Sequence, residues 1–492
     1  MPHTGNATAP SSLDEGSFTP TEDRLTPALV LSWSDVEPSR IGEIALMSDA
    51  VSSTWILGRG GPREEDSASR VTFVRQRPDR SSIAAGPLTA QALSRAQLRI
   101  DVTRDGLDVT SVGQGGLSLD GRPVAAGVTR SIVPGTVVMV GGHYVFLFVM
   151  RPAELPRVEG DVAPHDFGQP DLDGVVGESP AAWTLRSDAA KAARTRSHVF
   201  IYGESGTGKE LVTRAIHRLS GRPGVPVSFN AATVTVSLAE SILFGNVANY
   251  PNPGTPEHLG LFGRAEGGTL FLDEIGELGV DVQARLLRVL EGGEYERLGD
   301  SKTRKANVLV VAATNRDPRA IKHDVLKRFA FQLRMPSLAE RLEDVPLLAR
   351  ALVLDVYRKN PELAARFVRK TADGKMDVVV SYKLVRAILR ASYEGNVRDL
   401  RNLLLRAMTD TREPPLLPPA DMSPWRAPPP PAARGPVDTD VDDLLGGIDP
   451  EAQRIQAELD RQGGNVTRAA KELGISREAL YRQIRKHEMK RR

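Results

Sequence analysis

The chain has 492 residues, too many for one hydrophobic core, and a spacing of about 150 residues per domain suggests three folded units. Lysine and arginine (64) nearly balance aspartate and glutamate (62), so the net charge of +2 confines any nucleic-acid contact to a local patch. There is no cysteine, which excludes disulfides, thiol nucleophiles and Cys-ligated zinc, and no apolar run of about 18 residues, so a cytoplasmic protein with no membrane contact is expected.

Residues 1–40 are expected to be disordered, because Met1 to Arg24 are rich in Thr, Ser and Pro and lack the basic-then-apolar profile of a signal peptide. From 41 to 150 the pattern changes to short β-type runs between glycine turns, at 54–57, 71–74, 98–102, 107–109, 137–140 and 144–149. That is the pattern of a small all-β sandwich. Gly58-Arg59 after a strand, Leu93-Ser94-Arg95 before another, and Asp120-Gly121 in a late hairpin resemble a forkhead-associated (FHA) domain, a phosphothreonine-binding sandwich. The resemblance implies that Arg59 and Ser94, with Arg95, hold a phosphate on a phosphothreonine protein or kinase through charge-assisted hydrogen bonds. Two positions depart from that family: Gln97 replaces a structural His, and Gly115 replaces the Asn that grips the peptide backbone. The alternative is an FHA fold kept only as an interaction or self-docking surface.

A linker is expected at 151–170. From 171 to 410 apolar strands alternate with helical periods, the pattern of an α/β sheet. Within it, Gly203-Glu204-Ser205-Gly206-Thr207-Gly208-Lys209-Glu210 follows an apolar run and precedes the helical spacing Leu211, Val212, Ala215, Ile216, Leu219. This is a phosphate cradle: glycines let the backbone close around a phosphate, loop N–H groups and a helix N-terminus point at it, and Lys209 adds a point charge. The Ser/Thr that usually follows the lysine and holds Mg²⁺ is Glu210, so the metal must be held mainly by other groups. A downstream apolar strand ends in Asp273-Glu274, placing one carboxylate to hold Mg²⁺ with ATP and a second to polarise water. A third, 307–313, ends in Thr314-Asn315, whose amide either senses a γ-phosphate or its water or caps the next turn.

These motifs, with Val175-Val-Gly-Glu-Ser-Pro180 and Gly395-Asn-Val-Arg-Asp-Leu-Arg-Asn402, resemble the AAA+ P-loop ATPase of bacterial enhancer-binding proteins, activators of the sigma-54 form of RNA polymerase. The resemblance implies a helical lid at about 340–410, Asn230 as a switch residue holding Glu274, and Arg398 as a second phosphate sensor. It also implies a homo-oligomer, from dimer to hexameric ring, with sites shared between subunits. Arg328 stands at one expected arginine-finger position, and Lys322 at the other, where the charge is kept and the planar fork lost. In that family a loop reading GAFTGA contacts the sigma factor, whereas here the six residues are Asn249-Tyr-Pro-Asn-Pro-Gly254. Its two prolines predict a stiffer loop of different chemistry.

Residues 411–446 are expected to be a Pro-rich linker, with ten prolines between 413 and 436. The last segment, 447–492, is basic: residues 451–492 carry eleven Lys/Arg and six Asp/Glu, a net charge of 11 − 6 = +5. Gly463-Gly464, Asn465, Gly474 and Ser476 punctuate it into an α-helical helix-turn-helix that resembles the Fis-type domain ending enhancer-binding proteins. Arg477, Glu478, Tyr481, Arg482 and Arg485 on its last helix are placed to reach DNA at an upstream site. Two readings remain: an ATP-driven, phospho-signalled transcription regulator, or a DNA-bound ATP-binding regulator that leaves sigma-54 untouched because its GAFTGA loop is replaced.

Overall fold

The computed structural model describes residues 25–425, apart from 48–52, 62–67, 80, 105, 159–161, 163 and 372–373, together with Ala470. Arg477, Glu478, Tyr481, Arg482 and Arg485 lie outside the described residues.

The N-terminal domain is a sandwich of an eight-stranded and a five-stranded sheet. Its central strand, Leu25–Ser34, lies inside the stretch expected to be disordered and pairs antiparallel with Tyr144–Pro152 along its length. Both strands carry an unbroken apolar stretch, 27–31 in the first and 144–150 in the second, rather than strict alternation, because this sheet is buried on both faces. Leu29, Leu31, Phe146 and Phe148 face Phe73, Ile100 and Val109 inside the sandwich. Trp33, Val137, Val145 and Leu147 instead join a core with Leu347, Leu384 and Ile388 of the helices Val345–Lys359 and Tyr382–Leu389.

The sandwich is therefore built onto the lid, and the expected spacer 151–170 forms part of the seam. Arg151, 3% exposed, pairs with Glu343 at 2.5 Å and donates to the Glu178 carbonyl at 3.0 Å. His165 stacks against Trp183 with ring centres 5.5 Å apart. The segment reads as a spacer because its buried groups are mostly charged or polar, and their partners lie on other elements.

The central domain is a five-stranded sheet in the order Pro226–Asn230, Thr269–Asp273, Leu309–Thr314, Val199–Tyr202, Phe331–Arg334, with every pairing parallel. Leu309–Thr314 is buried at all six positions, which explains its unbroken apolar sequence. Helices Pro180–Thr195 and Lys209–Ser220 share a core with one face, and Val280–Gly292 shares one with the other. The Lys209 loop, Asp273 and Thr314 all emerge at the carboxyl ends of the strands, where open α/β sheets bind ligands.

The lid closes with Val397–Asp410, but its core continues beyond the expected boundary at 410. Leu416 (0% exposed) and Trp425 (7%) are buried in it. Leu416 donates to the Val379 carbonyl at 2.9 Å and accepts from Ser381 N–H at 3.0 Å. Prolines 414, 415, 418 and 419 suit this extended path because the ladder needs only the N–H of Leu416.

Candidate functional site

The loop from Gly203 to Lys209 turns back on itself through positive φ at Gly203 (151°), Gly206 (77°) and Gly208 (103°). At Gly206 the glycine is required twice, since a Cβ there would also stand 2.1 Å from the Gly395 carbonyl oxygen of the lid. Lys209 opens the helix Lys209–Ser220 and is 7% exposed, with its Nζ donating to the carbonyls of Gly203 at 2.8 Å and Glu204 at 3.1 Å. Burial lowers its pKa, against the pull of Glu274 and Asp273. Burial likewise raises the pKa of Asp273, against the field of Lys209. A buried cation and a half-buried carboxylate thus lie within each other's field, each with its charge incompletely compensated.

Thr207 Oγ1 donates to the Glu204 carbonyl at 2.8 Å and steadies the loop. Glu210 pairs with Arg214 at 2.8 Å on the exposed helix surface, whereas Glu274 and Asp273 are the carboxylates whose charges act on Lys209. Glu274 adopts a left-handed backbone (φ 55°), and its Oε2 accepts the Asn315 N–H at 3.1 Å. It is the main chain of Asn315 that holds Glu274. Asn230 meets Asp273 rather than Glu274: its Nδ2 donates to Asp273 Oδ2 at 3.4 Å while its Oδ1 accepts from Ala232 N–H at 2.9 Å.

The lid supplies the opposite wall. Arg398 Nη1 donates to Ser205 Oγ at 3.1 Å, and buried Arg341 reaches the Thr207 carbonyl at 3.2 Å. Asn396, which the sequence reading did not single out, donates to Glu204 Oε2 at 2.9 Å and to the Ser205 carbonyl at 3.0 Å. Its only local signal is a Gly-Asn pair before a helical period, which reads as a turn. Arg328 pairs with Glu291 at 2.6 Å and Lys322 is exposed ahead of the short helix His323–Leu326; among the described contacts neither reaches its own chain's loop.

Two other clusters contain residues that the sequence singles out. In the sandwich, Arg59 N–H donates to the Ser94 carbonyl at 3.0 Å, and the Gly58 Cα lies so close to Arg95 that a Cβ would stand 2.0 Å from its carbonyl oxygen. Gln97, 1% exposed, accepts from the N–H groups of Ser94 and Gly115 at 3.3 Å and donates to the Gly115 carbonyl, so its amide ties these loops together. In the 246–258 loop, buried Asn246 donates to the carbonyls of Val247, Tyr250 and Pro256, Asn249 Oδ1 accepts from Gly254 N–H at 2.9 Å, and Arg297 pairs with Glu257. The loop is internally bonded, and its 249–254 tip is exposed.

Residues 175–338 match the family model of the sigma-54 interaction domain, and residues 449–487 that of the bacterial regulatory protein, Fis family. The transcriptional regulatory protein ZraR of Salmonella typhimurium is 34% identical over 327 residues, covering 63% of this chain and 68% of its own length. The regulatory protein AtoC of Escherichia coli is 36% identical over 333 residues, covering 64% and 67%. A crystal structure of NtrX from Brucella abortus in complex with ADP aligns with a TM-score of 0.44 at 28% identity, covering 64% of this chain and 70% of that one. Among the described residues no helix is long and apolar enough to cross a membrane.

Proposed function

Because the chain belongs to the family of transcriptional regulators that carry a sigma-54 interaction domain, we propose that it is an ATP-dependent, DNA-bound regulator of transcription by the sigma-54 form of RNA polymerase. The observation that carries this reading is the convergence of Lys209, Asp273, Glu274 and Arg398 on one glycine loop. In it, the loop amides and Lys209 hold the β- and γ-phosphates, Asp273 holds Mg²⁺ directly or through water, and Glu274 orients and polarises the attacking water. The metal would neutralise charge on the phosphate oxygens. The raised pKa of Asp273 supports the fit, since a carboxylate buried without full compensation gains from a cation.

Arg328 and Lys322, neither of which has a described contact with its own chain's loop, are offered to a neighbouring subunit, so turnover per subunit rises with protein concentration through assembly. Lysine at 322 slows that turnover, because an arginine finger is worth roughly 10³ to 10⁵ in rate and lysine lacks its fork. Arg477, Arg482 and Arg485, with Glu478 and Tyr481, anchor the assembly on DNA. Arg59, Ser94 and Arg95 receive a phosphothreonine; the Gln97 bonds to Ser94 and Gly115 support this by doing the bracing that a structural His does in the FHA family.

A second reading is favoured by one observation, the closed bonding of the 246–258 loop, which would leave sigma-54 ungripped. Transcription in vitro from a sigma-54 promoter separates the two. The first requires transcripts with ATP, none with a non-hydrolysable analogue, and none from Lys209→Ala. ATP hydrolysis without transcripts would leave only the second.

A further inference from the structure

Asn396 stands where a helix cap is expected, immediately before Val397–Asp410, yet its side chain makes no cap bond to that helix. Its backbone lies at φ 52°, ψ −126°, a region that residues other than glycine seldom enter, and it is 1% exposed. Its Oδ1 accepts the Leu338 N–H at 2.6 Å, where the chain leaves the sheet for the lid. Its Nδ2 donates to Glu204 Oε2 and to the Ser205 carbonyl on the loop. Both amide hydrogens and the oxygen are thereby used on two segments outside its own helix. The main chain reinforces the join, since Val397 N–H donates to the Gly206 carbonyl at 3.2 Å. An unfavourable backbone conformation persists only where its surroundings over-determine it, and such residues cluster at functional sites.

Taking the Gly203–Lys209 loop as a nucleotide site, we infer that Asn396 is a positioning residue that staples lid to loop. It fixes where Arg398, two residues on, stands relative to the phosphates, and it passes a displacement of the loop to the lid. Arg398 has a long, rotamer-rich side chain whose one described hydrogen bond is to Ser205 Oγ. Anchoring its backbone to the loop restricts the positions that side chain can reach.

The test uses the full-length protein and two kinds of variant. Asn396→Gly accepts the same backbone conformation without strain, so the fold is kept while the three side-chain bonds are lost. The expected result is a protein that still melts cooperatively, ADP affinity within about threefold, and kcat for ATP hydrolysis lower by about tenfold or more. A folded Asn396→Gly protein with unchanged kcat would overturn the inference. Asn396→Asp sets a carboxylate against Glu204 and is expected to lose hydrolysis. Adding Glu204→Gln restores a donor–acceptor pair with the roles exchanged and should recover several-fold of the lost rate. Absence of that recovery also counts against the staple, because the staple requires the bond between residues 396 and 204. Failure of the wild-type protein to bind ATP or ADP would remove the nucleotide reading itself, a different outcome from an active wild type whose variants match it.

Discussion

His198, just before the Val199–Tyr202 strand, accepts the Val310 N–H at its Nδ1 at 3.0 Å, a bond that a protonated ring could not make. Burial, together with the positive charge of Arg222, pushes its pKa down to about 4. In the unfolded chain the imidazole titrates near 6.5, so below that pH the unfolded state binds a proton that the folded state refuses. The stability that His198 contributes is therefore complete above about pH 6.5 and is lost as the pH falls towards about 4. Thermal melting should show the midpoint falling from about pH 7 to about pH 5, before most carboxylates titrate, and His198→Gln should flatten that part of the curve. Equal slopes in the two proteins would place the acid sensitivity elsewhere. That Lys209 opens a helix after a glycine loop and that Asp273 ends a neighbouring strand was legible in the sequence, because both follow from residue type and local spacing. The partner of Asn230 was not, since the choice between Asp273 and Glu274 depends on the left-handed turn at Glu274.

The 246–258 loop shows how one buried amide can organise an element. Asn246 is 4% exposed and serves the carbonyls of Val247, Tyr250 and Pro256, while Ser241 Oγ donates to its Oδ1 at 3.1 Å. Replacing it with alanine leaves those carbonyls without a donor, at a cost of about 1–3 kcal/mol. Hydrogen exchange should then show faster exchange at Asn249, Gly254 and Thr255, whose amides are bonded inside the loop. ADP binding should be unchanged, and undiminished protection in Asn246→Ala would mean that other contacts hold the loop. The two prolines made a loop of altered chemistry legible from sequence. Its anchor was hidden, because Asn246 outside its tertiary setting reads as another polar turn residue. The strand Leu25–Ser34 was missed for the opposite reason: a run buried on both faces has no alternation to betray it.

For the whole molecule, the sheet around Leu25–Ser34 and Tyr144–Pro152 buries one face in the sandwich and the other against the lid that carries Asn396 and Arg398. Trp33 is the hub of this seam: it is 7% exposed, its Nε1 donates to the Val380 carbonyl at 2.9 Å, and its ring lies 6.2 Å from that of Tyr382. Arg390 and Asp120 add an ion pair across it at 2.5 Å. Trp33→Ala removes a large buried side chain and should cost about 3–5 kcal/mol. Calorimetry of the wild type should show sandwich and lid unfolding in one transition, which Trp33→Ala lowers and divides. A wild type whose sandwich melts separately would show that the seam carries no cooperativity.

The glycine loop before a helix, the carboxylates at a strand end, and the α/β character of the central sheet were determined by sequence alone. Each depends on residues within a few positions of one another, or on a periodicity that one segment displays by itself. The joining of the sandwich to the lid, the extension of the lid to Trp425, and the staple at Asn396 were decided by tertiary structure. They bring together residues as far apart as Trp33 and Val380, 347 positions distant along the chain. Such pairings are selected by which buried faces and polar groups satisfy one another after folding, and no local pattern records that choice.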